Sequence, residues 1–271
     1  MTSATPRPVV VVSGAGGGLG AALCRAYAAR GACVVALEPN ANALQALLNT
    51  LPAERVLGLS GEAGDVTRVE ACQQAAAAAV ARFCRIDVVI NNAGITQRSL
   101  FAEADLAQLR RVMEVNYLGA VQLTHAALPH LLQSRGVVAA VSSVAGFAPL
   151  LGRSAYSASK HALHGFFNTL RCELAPRGVA VCMASPSFIA TGIATSGDTA
   201  RVATGGESSP EAIAQAIITA IERRQPLLLP DRTSRMAWWL NKLAPGLYAR
   251  TMTRRIAPEY PSFTQTPASK D

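Results

Sequence analysis

The sequence predicts an α/β fold in which a doubly wound sheet of about seven parallel strands carries helices on both faces. Over the first two thirds of the chain, short β-branched segments alternate with longer helical patterns, as in repeated βαβ units. Several of these segments are apolar at consecutive positions, which is typical of strands buried on both faces. The chain of 271 residues is half hydrophobic, so it can enclose one large core but has little room for a second full domain.

Seven segments have strand character, and helical periodicity fills most of the intervals between them. The predicted strands are Pro8–Gly14, Ala32–Glu38, Arg55–Gly61, Ile86–Gly94, Gly136–Ser143, Gly178–Pro186 and Pro226–Pro230. The predicted helices are Gly18–Arg30, Ala41–Leu51, Val66–Phe83, Leu106–Leu132, Ala155–Ala175 and Pro210–Arg223. The last helix has a strong start signal, because Glu211 follows Ser208 by three residues.

We expect a single domain over residues 1–230, followed by a C-terminal extension over residues 231–271. Within the domain, residues 187–209 are small and polar, and long segments of this kind are usually lids, binding loops or disordered. The extension is basic and partly amphipathic, and we predict a disordered tail after Pro258. Much of the net charge of +8 comes from this end, because Glu222–Arg255 holds eight basic residues and two acidic ones.

Composition excludes several classes of protein. No stretch approaches the roughly 20 apolar residues that span a bilayer, and the N-terminus lacks a signal-peptide pattern, so we expect a soluble, cytoplasmic protein. The six cysteines are scattered without metal-binding spacing, which favours reduced, core-filling thiols and no metal site. The basic residues accompany no nucleic-acid recognition module.

A glycine-rich turn follows the first strand and leads directly into a helix. Gly14, Gly18 and Gly20 allow backbone amides at the helix N-terminus to approach a pyrophosphate, with Leu19 between them. Glu38 ends the second strand about 20 residues later, where a carboxylate can accept from an adenosine ribose hydroxyl and repel a 2′-phosphate. This pattern predicts a bound dinucleotide, NAD in preference to NADP.

Further motifs follow in a fixed order along about 150 residues. They are Asp65 in "GDVT", "NNAG" at 91–94, Asn116 in "VNYLG", Ser143 in "VSSVAG", and Tyr156 with Lys160. Together with the glycine turn, they resemble the short-chain dehydrogenase/reductase family over Val9 to about Arg224. The resemblance implies a Rossmann fold and an oxidoreductase that exchanges a hydride between nicotinamide and a secondary alcohol or ketone.

The spacing of Tyr156 and Lys160 suits proton transfer. Residues four apart lie one above the other on a helix, so the Lys160 ammonium can come close to the tyrosine hydroxyl and to a nicotinamide ribose. A free tyrosine has a pKa near 10, and we expect the ammonium and the positive nicotinamide ring to favour the phenolate. Tyr156 is therefore the candidate general acid/base.

Ser143 is the candidate for orienting the substrate oxygen, and the adjacent Ser142 is assigned a structural role. By resemblance, Asn116 holds a water that links Lys160 to solvent, although it could simply disturb its helix.

The resemblance also implies a set of cofactor contacts. Asp65 receives the adenine amino group and Val66 packs on its ring, while Ala93 and Gly94 let the cofactor pass closely. Asn92 belongs to the same element, and Asn91 is expected to stabilise the sheet. Ile189 and Thr191 continue the binding motif after the sixth strand.

One position departs from the family pattern. Ser187 stands where the family usually has glycine after Pro186, and its Cβ could restrict the backbone near the nicotinamide amide.

The residues around the candidate site favour a hydrophobic substrate. Phe147, Pro149, Leu150 and Leu151 follow Ser143, and Phe188 and Ile189 lie beyond the sixth strand. Two other functions remain open: a 3-oxoacyl thioester reductase, and a non-catalytic nucleotide-sensing or scaffold protein.

Two surfaces suggest partners. The aromatic and basic residues of the extension could rest on an anionic membrane, or could instead pack on the domain and cover the substrate cleft. The resemblance implies a homo-oligomer, a dimer or tetramer formed through Leu106–Leu132 and Ala155–Ala175.

Overall fold

The computed structural model describes residues 7–187 and 208–263, and it contains one parallel sheet of seven strands. Their spatial order is β3-β2-β1-β4-β5-β6-β7. The strands are β1 (Val9–Ser13), β2 (Cys33–Leu37), β3 (Val56–Leu59), β4 (Val88–Asn91), β5 (Val137–Val141), β6 (Ala180–Ala184) and β7 (Leu227–Leu228). The predicted doubly wound Rossmann fold is confirmed, and each strand lies inside its predicted segment.

Nine helices accompany the sheet in the described ranges. They are α1 (Gly18–Ala29), α2 (Ala41–Leu48), α3 (Val69–Phe83), α4 (Leu106–Met113), α5 (Gly119–Ser134), α6 (Ser154–Leu174), α7 (Pro210–Glu222), α8 (Arg232–Leu243) and α9 (Pro245–Ile256). Helices α1 and α7 pack together on one face, whereas α3, α5 and α6 cover the other.

The central strands are buried on both faces, which explains their continuous apolar sequence. In β1, Val10 and Val12 pack into the core on the α1 and α7 side, while Val9 and Val11 pack into the opposite core. Successive side chains of a strand point to opposite faces, so each face of β1 needs its own apolar residues.

The long helix predicted over Leu106–Leu132 is interrupted. A π-helical turn over Glu114–Leu118 separates α4 from α5, and Asn116 lies in that turn with 1% of its surface exposed. Its side chain bonds the backbone N–H and C=O of Ile95. The π turn thus coincides with a tertiary contact of Asn116, and single π turns inside α-helices are frequent at functional sites.

The extension folds back onto the domain. Asp231 caps α8, α8 and α9 pack together, and the Asn241 amide donates to the carbonyl of Phe147 at 2.7 Å. The prediction of disorder after Pro258 is wrong for residues 259–263, because they form short 3-10 turns that hold Tyr260 in a buried position. The burial of an aromatic ring compensates for the ordering of this segment.

No helix in the described ranges is long and apolar enough to cross a membrane. Among the same residues, no three His, Cys, Asp or Glu side chains cluster in a way that could hold a metal ion.

Candidate active site

A cavity of about 440 Å³ opens at the carboxyl edge of the sheet. It lies at the reversal of strand order between β1 and β4, where doubly wound sheets bind ligands. One wall carries residues from the predicted motifs, namely Leu19, Asn92, Gly94, Ser142, Ser143, Tyr156 and Lys160. The other comes from the extension, with Met236, Ala237, Leu240, Tyr248, Met252 and Ile256.

The glycine turn is too tightly packed to tolerate side chains at its key positions. Gly14 has a φ of +63°, and a Cβ there would lie 2.8 Å from the Cα of Ala93. A Cβ on Gly20 would lie only 2.0 Å from the carbonyl oxygen of Gly14. Helix α1 begins at Gly18 without a side-chain cap, so its first amide groups can serve an anion such as a pyrophosphate.

Glu38 lies directly beside this turn. Its carboxylate accepts the amide N–H of Gly16 at 3.0 Å and that of Asn40 at 3.1 Å. A Cβ on Gly16 would come within 2.7 Å of the Glu38 side chain, so the glycine makes room for it. The carboxylate is therefore held at the place where the sequence predicts a ribose contact.

Asp65 and Val66 line the next part of the same edge. The Asp65 carboxylate accepts from the backbone and the hydroxyl of Thr67, and it pairs with Arg111 at 3.3 Å. Burial raises the pKa of Asp65, but the bonds from Thr67 and Arg111 outweigh burial and hold the pKa below its ordinary value. Val66 is buried against Gly119, where an added Cβ would meet it at 2.6 Å.

The two asparagines of the "NNAG" element have different structural roles. Asn91 is buried in β4 and donates to Thr124, as expected for a residue that stabilises the sheet. The Asn92 amide donates to the carbonyls of Ser13 and Gly14 at 3.1 and 3.0 Å, and so fixes the glycine turn. Asn92 therefore shapes the dinucleotide site whether or not it contacts the cofactor, a role that the motif alone does not reveal.

Tyr156, Lys160 and Ser143 meet at one wall of the cavity. The Lys160 ammonium lies 5.6 Å from the centre of the Tyr156 ring and donates to the carbonyl of Val141 at 2.8 Å. The hydroxyl of Ser143 lies near that of Tyr156 and lowers its pKa. Ser142 is buried, and its hydroxyl reaches the backbone carbonyl of Lys160 at 3.5 Å. These contacts agree with different roles for the two serines.

The electrostatics of Tyr156 differ from the sequence expectation. Burial is the largest influence and raises the pKa of Tyr156, while the nearby Ser143 hydroxyl and the charge of Arg153 lower it. Burial also lowers the pKa of Lys160 from 10.5 to about 8, since it disfavours the charged form. The described protein groups by themselves thus favour the neutral phenol, and the expectation that Lys160 and the nicotinamide ring together favour the phenolate stays a prediction.

Asn116 and Lys160 face the same small space beside Gly94. A Cβ on Gly94 would lie 3.4 Å from the Asn116 oxygen and 3.5 Å from the Lys160 nitrogen. The Asn116 amide also donates to Ser159, one residue before Lys160. Because Gly94 has no side chain, the space between the Asn116 and Lys160 side chains stays open.

The individual residues of the C-terminal wall and Arg153 were not predicted as site residues, although one of the two alternatives for the extension was that it covers the substrate cleft. Arg153 immediately precedes α6 and hydrogen-bonds Thr96 and Gln97 from the cavity wall. An arginine three residues before Tyr156 could have been noticed, whereas no local signal connects α8 and α9 with the site.

The predicted apolar lining is only partly correct. Of the residues proposed after Ser143, Leu150 lines the cavity, whereas Phe147 packs on Trp238 with ring centres 4.9 Å apart. Pro149 is exposed, and Leu151 contacts Met252 through its backbone. Much of the apolar lining comes instead from α8 and α9, with Met236, Leu240, Met252 and Ile256.

The motif after β6 is described only in part. Ser187 lines the cavity, and its backbone N–H donates to the Asp231 cap of α8 at 2.9 Å. Phe188, Ile189 and Thr191, predicted as lid and cofactor-binding residues, lie outside the described residues.

The motif residues fit a nicotinamide dinucleotide. The glycine turn excludes a Cβ at Gly14 and Gly20, Glu38 lies at the ribose position, and Tyr156 and Lys160 lie at the far end of the same edge. The individual cofactor contacts of Gly14, Gly18, Leu19, Gly20, Glu38, Asp65, Val66, Asn92, Ala93 and Gly94 stay predictions.

Comparisons with known proteins agree with this geometry. The family model for short chain dehydrogenase matches residues 8–201. The "Dehydrogenase/reductase SDR family member 7B" of Bos taurus is 36% identical over 266 residues, which cover 93% of this chain and 82% of the relative.

Two solved structures are similar over nearly their whole length. A short-chain dehydrogenase from Streptomyces avermitilis has a TM-score of 0.78 and 29% identity, covering 95% of this chain and 99% of the other. A short chain dehydrogenase from Burkholderia cenocepacia, solved in complex with NADP, has a TM-score of 0.79 and 27% identity, with coverages of 91% and 97%.

Proposed function

Since this chain belongs to the short-chain dehydrogenase/reductase family of oxidoreductases, we propose that it is an NAD-dependent enzyme acting on a hydrophobic secondary alcohol or ketone. The observation that carries the proposal is the convergence of Tyr156, Lys160 and Ser143 on one cavity wall. A protein that only bound the nucleotide would need none of these three side chains.

The proposed mechanism assigns each side chain a separate task. A bound nicotinamide supplies the carbon that exchanges a hydride with the substrate. Ser143 donates a hydrogen bond to the substrate oxygen and holds it beside Tyr156. In the oxidation direction the hydroxyl proton passes to the Tyr156 oxygen, and in the reduction direction Tyr156 returns it.

Lys160 and Asn116 support this proton transfer. The Lys160 ammonium is fixed by the carbonyl of Val141, and its positive charge favours the ionised form of Tyr156. Asn116 faces the same space beside Gly94, which supports its proposed part in a proton path through a water. Both assignments stay predictions until the variants are measured.

The preference for NAD rests on Glu38. Its carboxylate is held at the predicted ribose site by Gly16 and Asn40, and a negative charge there would repel a 2′-phosphate. Because a relative from Burkholderia cenocepacia was solved in complex with NADP, the choice between NAD and NADP needs a direct test. We expect a higher kcat/KM with NAD, and Glu38→Asn should reduce the ratio of NAD to NADP activity.

The enzyme class is tested by absorbance of reduced nicotinamide with a panel of secondary alcohols. We expect Tyr156→Phe to lower kcat by roughly 10²- to 10⁴-fold, the usual contribution of general acid–base catalysis, with NADH binding retained. Tyr27→Phe is the matched control, because Tyr27 is buried in α1 and its hydroxyl has no hydrogen-bond partner in the described structure.

Two outcomes would favour the other functions. Faster reduction of 3-oxoacyl thioesters than oxidation of any alcohol would favour the thioester reductase. Tight NADH binding without turnover of either substrate class would favour the nucleotide-sensing or scaffold protein.

The exposed face of α8 and α9 supports contact with an anionic membrane. Trp239, Leu243 and Leu247 are 58%, 77% and 52% exposed, and Lys242 and Arg250 lie among them. Basic residues beside exposed aromatic and aliphatic side chains suit an anionic lipid surface. The two alternatives of the sequence analysis are thus compatible, because other residues of the same helices line the cavity.

Vesicle sedimentation tests the membrane contact. We expect binding to vesicles that contain phosphatidylserine, weaker binding to phosphatidylcholine alone, and loss of binding in a Trp239→Ser, Leu243→Ser variant. Leu106→Ser is the control, since Leu106 is 72% exposed on α4. Equal binding by all three proteins would contradict the assignment of the surface.

Localisation and assembly stay predictions. We propose a cytoplasmic protein that can associate with membranes, and cell fractionation would check this. We also propose a homo-oligomer, dimer or tetramer, through the segments 106–132 and 155–175; light scattering would measure its mass.

A further inference from the structure

Cationic side chains dominate the charged part of the cavity wall. Besides Lys160, the described wall includes Arg153 and Arg255, and it includes no Asp or Glu. Lys160 already has a role in the proposed reaction, so the two guanidinium groups are left to be explained. Both lie on the substrate side, away from Glu38 at the predicted adenosine end.

Arg153 is firmly positioned and keeps free donors. Its Nη1 donates to the Thr96 hydroxyl at 3.0 Å and to the Gln97 carbonyl at 3.1 Å. Its Nε and Nη2 have no hydrogen-bond partner among the described residues, and they are not shut off from the cavity. A guanidinium that is held at one nitrogen and has donors left on the others is pre-organised for a bidentate hydrogen bond to an oxyanion.

The charge of Arg153 has no counterion within ion-pair distance in the described structure. Glu259 is near enough to act on it electrostatically, but this carboxylate pairs with Arg98 at 3.5 Å. Arg153 is partly buried, and burial lowers its pKa. A buried cation without an ion-pair partner is costly unless a ligand supplies the opposite charge.

Arg153 lies three positions before Tyr156 in the chain, and this limits where a bound anion could lie. Arg153 immediately precedes α6, whereas Tyr156 is in its first turn, so the two side chains border the same part of the cavity. The part of the lining that comes from the extension is mainly apolar, with Met236, Leu240 and Ile256 among its residues. The cavity therefore combines a positive group near the reaction centre with an apolar volume.

We propose that the substrate is an amphiphile, an apolar chain whose alcohol or ketone carbon lies close to an oxyanion, carboxylate or phosphate, that binds Arg153. The proposal rests on the proposed function and specifies its substrate class. Arg255, on the exposed part of α9, adds positive potential to the cavity. In oxidation, a hydride leaves the carbinol carbon for nicotinamide, the hydroxyl proton passes to Tyr156, and the oxyanion is unchanged.

Matched substrates test the proposal. A β-hydroxy fatty acid of medium chain length and its methyl ester differ only in the charge that Arg153 would bind. We expect a kcat/KM that favours the acid, and Arg153→Gln should reduce this preference roughly 10- to 100-fold, the usual contribution of a hydrogen bond to a charged group. Arg153→Lys should retain part of the preference, because lysine keeps the positive charge but cannot form the bidentate hydrogen bond of a guanidinium.

Arg254→Gln is the control for a general charge effect. Arg254 is exposed on α9 next to Arg255 but is not among the described wall residues. The preference for the acid should persist in this variant. An equal loss of acid and ester turnover in Arg153→Gln would overturn the proposal and assign Arg153 to holding the Thr96 and Gln97 segment.

Calorimetry separates this proposal from the reaction itself. Binding of a medium-chain fatty acid, of its methyl ester and of an alkyl phosphate is measured with NADH-saturated protein, and the two anions distinguish carboxylate from phosphate. Anion binding that Arg153→Gln abolishes would support the site even if no alcohol were oxidised. Turnover of neutral alcohols with no preference for either anion would overturn it while leaving the proposed function intact.

Discussion

Replacing Lys160 by methionine should make the protein more stable at neutral pH while it abolishes activity. Burial lowers the pKa of Lys160 from 10.5 to about 8, so the folded protein holds the charge at neutral pH against a solvation cost. A shift of this size corresponds to about 3 kcal/mol of lost stability at pH 7. Methionine keeps an unbranched apolar chain and removes the charge.

One favourable contact is lost in the same variant. The ammonium donates to the carbonyl of Val141 at 2.8 Å, and the loss of this hydrogen bond should cost about 1 kcal/mol. The expected net effect is a gain of about 2 kcal/mol in the free energy of unfolding at pH 7. Lys160 is thus expected to be a functional residue that the fold retains at the expense of stability.

The pH dependence gives the sharper test. The unfolded chain keeps the Lys160 proton up to a pH near 10.5, whereas the folded protein releases it above about 8. The unfolded state therefore binds more protons in this window, and wild-type stability should rise with pH. The advantage of Lys160→Met should shrink by about 1 kcal/mol between pH 7 and pH 9.

Urea unfolding followed by circular dichroism measures both effects. Lys242→Met is the control, because Lys242 is exposed on α8 and its substitution should show no comparable pH trend. A Lys160→Met protein that is less stable than wild type at pH 7, by an amount independent of pH, would refute the reasoning.

Two further predictions concern the glycine turn and the C-terminal segment. Gly20→Ala should abolish NADH binding or prevent folding, because its Cβ would lie 2.0 Å from the carbonyl oxygen of Gly14. The Cβ of Gly17→Ala would have its nearest contact at 3.7 Å, so this variant should bind NADH normally in a fluorescence titration. Tyr260→Ala should lower the free energy of unfolding by about 3 kcal/mol, because it removes a buried ring, while Phe263→Ala, at a 43% exposed position, should cost less than about 1 kcal/mol in the same urea experiment. A similar effect of both members of either pair would contradict the packing described.

The sheet could be predicted because its signals are local. Consecutive valines in β1 need burial on both faces, and the tight turn after it needs glycine at Gly14, where φ is positive. The interruption of the long helix at Asn116 could not be predicted in the same way. Its cause is a pair of hydrogen bonds to Ile95, which lies 21 residues earlier in the chain.

The candidate active site likewise combines features that follow from local sequence with features that depend on tertiary contacts. The spacing of Tyr156 and Lys160 follows from the pitch of one helix, so the sequence alone places them together. Their pKa values depend on burial by neighbouring elements, which the sequence does not reveal. The role of Arg153 likewise depends on Thr96 and Gln97, which come from another loop.

By itself, the sequence determined the family, the sheet and the wall of the cavity that carries the motifs. Only the tertiary structure decided what faces that wall. Helices α8 and α9 reach it through contacts between residues that are distant in the chain; the Asn241 amide of α8, for example, donates to the carbonyl of Phe147 across 94 positions. Such contacts form because folding buries apolar surface. Local periodicity indicates which face of a helix is buried, but it does not indicate which element of the fold that face packs against.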